Sequence, residues 1–151
     1  AIDSDFSSGN IKNSNFINIG NDAIDLSGSN AKIYSNLFKR IGDKSISVGE
    51  NSKLKVECNN FVSSEIGLVV KDGSKVNSEN NYFSLNKLDV AVFRKKNFFN
   101  QPTLQIDKKL KNLKYLIQNK SKIITPVIDS IIFTRKVEQM LYGNKYGKQS
   151  K

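Results

Sequence analysis

A pattern of 22 residues recurs along the first two thirds of the chain, and it constrains the fold more strongly than any other feature. Residues 23–30 read AIDLSGSN, and steps of 22 lead to SISVGENS at 45–52, GLVVKDGS at 67–74 and DVAVFRKK at 89–96. One step back reaches AIDS at residues 1–4. Five units therefore follow one another in register, without an insertion at this position.

Apolar and polar side chains alternate within each unit. Ile24 and Leu26 flank Asp25, and the later units keep the apolar pair. Alternation over four residues is typical of a short strand with one buried face, and its regular recurrence stacks such strands in parallel. The sequence therefore predicts an all-β fold, a right-handed parallel β-helix of about five 22-residue coils. A leucine-rich repeat would need Leu at fixed positions and a helical half, and a left-handed β-helix would need a hexapeptide period. The chain shows neither pattern.

Other residue types recur with similar spacing and define further columns. An aromatic column contains Phe16, Phe38, Phe61 and Phe83. Two residues before each Phe lie Ser14, Asn36, Asn59 and Asn81. A third, apolar column contains Ile19, Ile41, Ile66 and Leu88, and three of these residues precede Gly20, Gly42 and Gly67. We expect the rings to stack, the Asn side chains to bond along the ladder to neighbouring coils, and the glycines to form bends with positive φ.

The 22-residue period ends near Lys96, so we predict parallel β-helix coils at 1–96 and a basic C-terminal cap and tail at 97–151. The tail is predicted to contain a strand at 103–106, a hairpin of strands at 115–118 and 122–125, and a short helix that Asp129 or Ser130 caps and that ends at Gly143. The open end of a β-helix exposes strand edges, and we expect this hairpin and helix to cover it.

The charge balance changes where the repeat ends. Residues 1–93 contain 10 Lys and Arg against 11 Asp and Glu, whereas residues 94–151 contain 14 against 3. The two regions are therefore expected to have different roles. The basic tail is either a solvated surface or a polyanion-binding face, for which acidic polysaccharide, teichoic-type polymer and nucleic acid are candidates. Nucleic acid is the least favoured, because the basic residues are not arranged with aromatic side chains in a known binding motif.

The composition limits the available chemistry. The chain has no His, which removes the usual near-neutral acid or base and the commonest metal ligand. Cys58 is the only cysteine, so no disulfide within the chain is expected. No apolar run is long enough to span a bilayer. Since the first residues read as the middle of a repeat, we expect a longer protein with an upstream domain. An extracellular or cell-surface location is favoured.

Charged side chains occupy equivalent positions in neighbouring coils. Glu50, Asp72 and Arg94 share one column, and adjacent rungs lie about 4.8 Å apart, so Glu50 is expected beside Asp72. These charges either pair along the solenoid, bind calcium through facing carboxylates, or form a lyase or epimerase site with Lys44, Lys71 or Arg94 as the base. No other cofactor is expected and no catalytic residue is assigned. The candidate binding residues are Asp22, Asp25, Asp43, Lys44, Glu50, Lys71, Asp72 and Arg94.

Two stretches, GNDAIDL at 20–26 and IGDKSISVG at 41–49, resemble the Gly-Asp-Asp segment of polygalacturonase-type pectin hydrolases. Asn21 and Lys44 each replace one acid of the pair, and the Gly-His-Gly and Arg-x-Lys motifs of that family have no counterpart. Together with VVKDGS at 69–74, the stretches resemble bacterial right-handed parallel β-helix repeat (pectin-lyase-like) proteins, in particular the C-terminal β-helix of spore-coat-kinase-like proteins. The resemblance implies the fold. The implied functions range from lyases and epimerases to non-catalytic surface proteins.

These observations favour a non-catalytic β-helix module of a larger bacterial envelope-associated protein, either structural or carbohydrate-binding. Its expected contact face is the outward column of Asp25, Ser47, Val69 and Ala91, together with the polar turns at 27–30, 49–52, 71–74 and 93–96. The alternative is a polysaccharide lyase or epimerase-like enzyme that acts on acidic polysaccharide. A third hypothesis is a scaffold that only holds neighbouring domains.

Overall fold

In the computed structural model, which describes residues 1–106, 113–124 and 131–147 (with the backbone alone at 131–133), the chain winds into a parallel β-helix. The first sheet contains, in spatial order, β1 (Ile2–Asp5), β4 (Ile24–Ser27), β7 (Lys44–Gly49), β10 (Ile66–Lys71), β13 (Leu88–Phe93), β15 (Tyr115–Gln118) and β17 (Ile131–Thr134). The second contains β2 (Ser8–Lys12), β5 (Asn30–Tyr34), β8 (Lys53–Glu57), β11 (Lys75–Glu79), β14 (Thr103–Ile106) and β16 (Lys122–Ile124). The third contains β3 (Asn15–Ile17), β6 (Leu37–Lys39), β9 (Asn60–Val62) and β12 (Tyr82–Ser84).

The strand register confirms the predicted repeat. Every pairing between the described strands is parallel, and Ile24 lies beside Ile46 as the 22-residue step requires. Asn30 lies beside Lys53, one residue further on, because Asn51 is an extra residue in the link between β7 and β8. The insertion lengthens one turn and leaves the first sheet in register. The fold class expected from the sequence is therefore the observed one.

Backbone bends with positive φ separate the three strands of each of the first four coils. The link from the first sheet to the second, which we call the first corner, bends at Phe6, Gly28, Glu50 and Asp72, with φ between 50° and 61°. The second and third corners bend at Asn13, Ser35, Cys58 and Asn80, and at Asn18, Arg40, Ser63 and Leu85. The predicted positive φ at Gly20, Gly42 and Gly67 is not found. Gly67 instead lies in β10, where a Cβ atom would approach the carbonyl oxygen of Asp89 to 2.6 Å.

Stacked side chains fill the interior along the solenoid axis. The rings of Phe16, Phe38 and Phe61 stack on one another in nearly parallel planes, with successive centroids 5.0 Å apart. The Asn column forms the predicted ladder: the Oδ1 of Asn59 accepts the backbone N–H of Asn36 at 3.0 Å, and its Nδ2 donates to the carbonyl of Ile33 at 2.9 Å. Apolar stacking fills the core while the ladder satisfies the buried backbone at the second corner.

The predicted third apolar column is wrong beyond Ile41. Ile66 pairs with Lys44, and Leu88 pairs with Ile66, because the third corner is one residue shorter in that coil. Ile66 and Leu88 belong to a second apolar cluster, on the outer side of the first sheet, with Val69. Ile66 and Leu88 therefore do not belong to the inner core, and the first sheet is apolar on both sides in its later coils.

The tail continues the solenoid and does not form the predicted hairpin. β14 confirms the strand expected at 103–106, where Leu104 pairs with Val76. β15 joins the first sheet, where Tyr115 pairs with Val90, and β16 joins the second, where Ile123 pairs with Leu104. The two strands of the expected hairpin thus lie in different sheets, since a three-residue link here has the role of the first corner.

A short helix, α1 (Val137–Leu141), follows β17, so the helix begins later than expected. The predicted caps Asp129 and Ser130 lie outside the described residues. Val137 and Leu141 are buried against the second apolar cluster, on the outer face of β13 and β15. The C-terminal arm, residues 137–147, therefore lies along the side of the solenoid rather than across its end.

This placement corrects the predicted contact face. Ser47, Val69 and Ala91 are fully buried, and Asp25 is partly exposed at the margin of the arm. The outward column becomes apolar from Val69 onward and includes Leu116, which is also buried. Burial contributes roughly 1.5–3 kcal/mol for each large apolar side chain. The apolar contacts therefore stabilise the docked position of the arm.

Candidate functional site

Five of the predicted site residues come together beside the C-terminal arm, and we call them the charge cluster: Asp22, Asp25, Asp43, Lys44 and Lys71. The Nζ of Lys44 lies 2.8 Å from Oδ2 of Asp43 and 3.3 Å from Oδ1 of Asp22. The backbone N–H of Lys44 also donates to Oδ1 of Asp22 at 3.0 Å, which ties two successive coils together. The Lys44 side chain is only 4% exposed, so these contacts replace its hydration.

The C-terminal arm covers this cluster with an aromatic ring. The Nζ atoms of Lys44 and Lys95 lie 5.2 and 4.4 Å from the centre of the Tyr142 ring, within the range of cation–π attraction. Gly147 approaches from the same arm, where a Cβ would lie 2.9 Å from Oδ1 of Asp43, and its φ of +76° favours glycine. The cluster therefore fixes the arm as well as the coils.

Burial and charge shift the proton affinities in opposite directions. Burial raises the pKa of Asp22 despite the nearby Lys44 ammonium. Burial lowers the pKa of Lys44, but attraction to Asp22 and Asp43 more than offsets this, so its pKa is raised overall. Burial raises the pKa of Tyr142 to about 12. At neutral pH Lys44 is thus a firmly protonated cation between two acids.

Lys71 has a weaker partner. Its Nζ lies 4.0 Å from Oδ1 of Asp25, and burial lowers the pKa of the amine. Its side chain crosses Gly49, where an added Cβ would lie 3.4 Å from the Cε of Lys71. Of the two predicted lysine bases, Lys71 has a lowered pKa and Lys44 a raised one, so Lys71 gives up its proton more readily than Lys44.

The remaining predicted residues are apart from the cluster and from one another. Oδ1 of Asp72 accepts the backbone N–H groups of Lys95 and Lys96, each at 2.7 Å, whereas Glu50 pairs with the Lys96 ammonium. Glu50 and Asp72 follow the adjacent strands β7 and β10 at the same corner, as predicted. Their carboxylates, however, bind different partners. Arg94 lies in a pocket further along the first corner.

Within residues 1–106, 113–124 and 131–147, no group of three or more Cys, Asp or Glu side chains is arranged to hold a metal ion. The described part of the chain also contains no helix that is long and apolar enough to cross a membrane.

A row of lysines on the second sheet was not predicted. Lys53 pairs in register with Lys75, which pairs with Thr103, which pairs with Lys122. We call Lys53, Lys75 and Lys122 the lysine row. They line a groove of about 440 Å³ with Asn77, Thr103 and Gln105. The 22-residue spacing of Lys53 and Lys75 could have indicated that they are neighbours. Lys122 lies beyond the end of the period, so no spacing in the sequence indicated its place in the row.

The lysine row has no carboxylate partner in the described part of the chain. Lys32 and Lys55, one column away on the same sheet, both pair with Glu57 at 2.7 Å. No such ion pair is formed by Lys53 or Lys75. Like charges directly opposite each other on neighbouring strands are destabilising, so this row lowers stability unless an external anion neutralises it.

Comparisons with protein-family models, with curated proteins and with solved structures found no match to this chain. The fold places it in the architectural class of parallel β-helix proteins. The resemblance to pectin-lyase-like and spore-coat-kinase-like proteins stays a prediction from the sequence motifs.

Proposed function

We propose that this chain is a non-catalytic β-helix module that binds a linear acidic polysaccharide along the lysine row. One observation supports this most directly: Lys53, Lys75 and Lys122 lie in register along one groove, and no carboxylate among the described residues pairs with them. In keeping with the resemblance, the module would belong to a larger bacterial envelope-associated protein with an upstream domain.

The spacing of the row favours a polymer over a small ligand. Neighbouring rungs lie about 4.8 Å apart, so the row extends along the solenoid axis over several rungs. A linear polyanion places successive charges along such a row, and its release of counterions adds to the affinity. The amides of Asn77 and Gln105 and the hydroxyl of Thr103, which line the same groove, can bond sugar hydroxyl groups.

The chemistry of the groove separates polysaccharide from nucleic acid. Single-stranded nucleic acid is usually bound through aromatic rings on which bases stack. The groove is lined by Lys53, Leu54, Lys75, Val76, Asn77, Thr103, Gln105 and Lys122, and none of these is aromatic. Acidic polysaccharide is therefore the favoured polyanion.

A second candidate function is a polysaccharide lyase or epimerase in which Lys71 removes a proton from the sugar. The lowered pKa of Lys71 favours this alternative, because a base must be neutral to accept a proton. The Lys71 side chain is only 13% exposed, however, and the arm covers the adjacent Lys44. We therefore rank the enzyme below the binding module.

The test is titration calorimetry with polygalacturonate, methyl-esterified pectin as the uncharged control, and single-stranded DNA, each with and without calcium. The proposal expects binding of polygalacturonate, no binding of the esterified polymer, and no new absorbance from unsaturated uronate. Appearance of that absorbance would establish the lyase instead. Tighter binding of DNA than of polygalacturonate, or no binding of any acidic polymer in a broad panel, would refute the proposal.

A further inference from the structure

A polar pocket of about 490 Å³ lies at the C-terminal end of the first corner, apart from the charge cluster. It is lined by Arg94, Gln101, Gln118, Asn119, Lys120 and Arg135. Three of these residues are cations, three have side-chain amides, and none is acidic. The lining therefore contains many hydrogen-bond donors and an uncompensated positive charge.

The topology explains why these residues meet. β13, β15 and β17 are adjacent parallel strands, so the residues that follow their carboxyl ends lie at the same edge of the first sheet. Arg94 follows β13, Asn119 and Lys120 follow β15, and Arg135 follows β17. The two arginines are two rungs apart, about 10 Å along the axis, and Lys120 lies between them. Long side chains can bridge that distance toward one bound group.

Several contacts position the pocket in advance. The backbone N–H of Arg94 donates to Oε1 of Gln118 at 2.6 Å, and its Nη1 lies at 3.5 Å from the carbonyl oxygen of Phe99. Oγ of Ser121 donates to Oε1 of Gln101 at 3.0 Å. Both amides thus have their oxygen atoms occupied, which leaves their NH₂ groups as donors.

The nearest acids of the same corner are already engaged elsewhere. Asp72 accepts the two backbone N–H groups of Lys95 and Lys96, and Glu50 pairs with the Lys96 side chain. Neither is part of the pocket lining. Glu50 and Asp72 therefore do not neutralise the three cations of the pocket.

We propose that this pocket binds one tetrahedral oxyanion, a phosphate or sulfate group borne by a larger ligand. Guanidinium groups bond two oxygens of such a group at once, and two arginines with a lysine between them match its several oxygens better than those of a single carboxylate. This site rests on residues other than the lysine row, so it goes beyond the proposed binding of acidic polysaccharide and does not depend on it.

The first experiment titrates the protein with inorganic phosphate, sulfate and acetate at constant ionic strength and follows binding by calorimetry. We expect saturable binding of phosphate or sulfate and none of acetate. Substitution of Arg94→Gln or Arg135→Gln is expected to weaken that binding about tenfold or more, since each removes charged hydrogen bonds. Lys136→Gln, one residue beyond Arg135 and outside the pocket lining, is the matched control and should bind normally.

A second arm compares a phosphorylated with a sulfated monosaccharide to identify which ester is preferred. The double variant Lys53→Glu/Lys75→Glu, which reverses two of the three charges of the lysine row, should still bind phosphate or sulfate. The proposal is overturned if neither anion binds saturably, if acetate binds as tightly, or if Lys136→Gln weakens binding as much as Arg135→Gln. Arg135 is exposed, so its variant is expected to fold, which circular dichroism verifies.

Discussion

The ammonium group of Lys44, in the third coil, lies 5.2 Å from the centre of the Tyr142 ring in the C-terminal arm. Through Tyr142, the arm makes both an apolar contact and a contact with charged groups of the coils. On one side Tyr142 packs edge-on against Phe93, and on the other it covers the ion pairs of the charge cluster. In the later coils the outer face of the first sheet is thus covered by the arm. The two basic surfaces proposed as binding sites lie on the second sheet and at the first corner.

Truncation of a buried side chain of the arm should destabilise the whole chain. Leu141 is 2% exposed within the second apolar cluster, so Leu141→Ala is expected to lower the free energy of unfolding by about 2–5 kcal/mol. Gln139→Ala, on the exposed side of the same helix, is the control and should change it by less than about 0.5 kcal/mol. Urea unfolding measures both. Equal effects would mean that the arm is not docked.

A buried Asn of the ladder should contribute more to the free energy of unfolding than an exposed Asn beside it. Asn59 is fully buried and bonds the coils on both sides, so Asn59→Ala removes the side-chain partner of two backbone groups, the N–H of Asn36 and the carbonyl of Ile33. A loss of about 2–4 kcal/mol in the free energy of unfolding is expected. Asn60→Ala, at the adjacent exposed position, tests the same substitution outside the ladder. A similar cost at both positions would disprove the role of the ladder.

Replacement of Lys71 should stabilise the protein in a pH-dependent way. Burial lowers the pKa of Lys71 below 10.5, so at neutral pH the folded state holds an unfavourably buried ammonium. Lys71→Met is therefore expected to raise the free energy of unfolding at pH 7 by about 1 kcal/mol. The variant also removes the charged partner of Asp25, whose Oδ1 is buried although the side chain as a whole is 36% exposed.

The sign of the pH effect follows from the lowered pKa. Between the folded value and 10.5, the unfolded chain still binds the proton that folded Lys71 has lost, so wild-type stability rises with pH. The advantage of Lys71→Met should then narrow as the pH approaches 10.5. Urea unfolding at pH 7 and pH 9.5 measures it, with Lys39→Met on the third sheet as the control for loss of one charge. A variant less stable than wild type at pH 7 would contradict the account.

The coils could be predicted from the sequence because each column repeats one chemical type. The Phe and Asn columns stay aligned even where Asn51 adds a residue, because the extra residue lies in a corner and not in a strand. The corner bends were not predictable from propensity. Phe6 and Leu85 have positive φ, which bulky residues rarely adopt.

The tail was harder to predict because its strands follow links of unequal length. Tyr115 pairs with Val90 although the period has been lost, and only the structure shows this. One signal was present in the sequence: the outward column changes from Asp25 and Ser47 to Val69 and Ala91. An outward column that becomes apolar indicates a covering segment, and that segment is the arm.

The central claim, that the lysine row binds an acidic polymer, is tested most directly by the affinity for polygalacturonate of two charge-matched variants. Lys53→Glu/Lys75→Glu reverses two of the three charges of the lysine row, and Lys39→Glu/Arg40→Glu reverses two charges near the third corner. The account predicts that the first variant loses affinity at least about tenfold, or about 1.4 kcal/mol, and that the second binds nearly as wild type does. Equal losses would show that only net charge matters, and an unchanged affinity of the first variant would contradict the account outright.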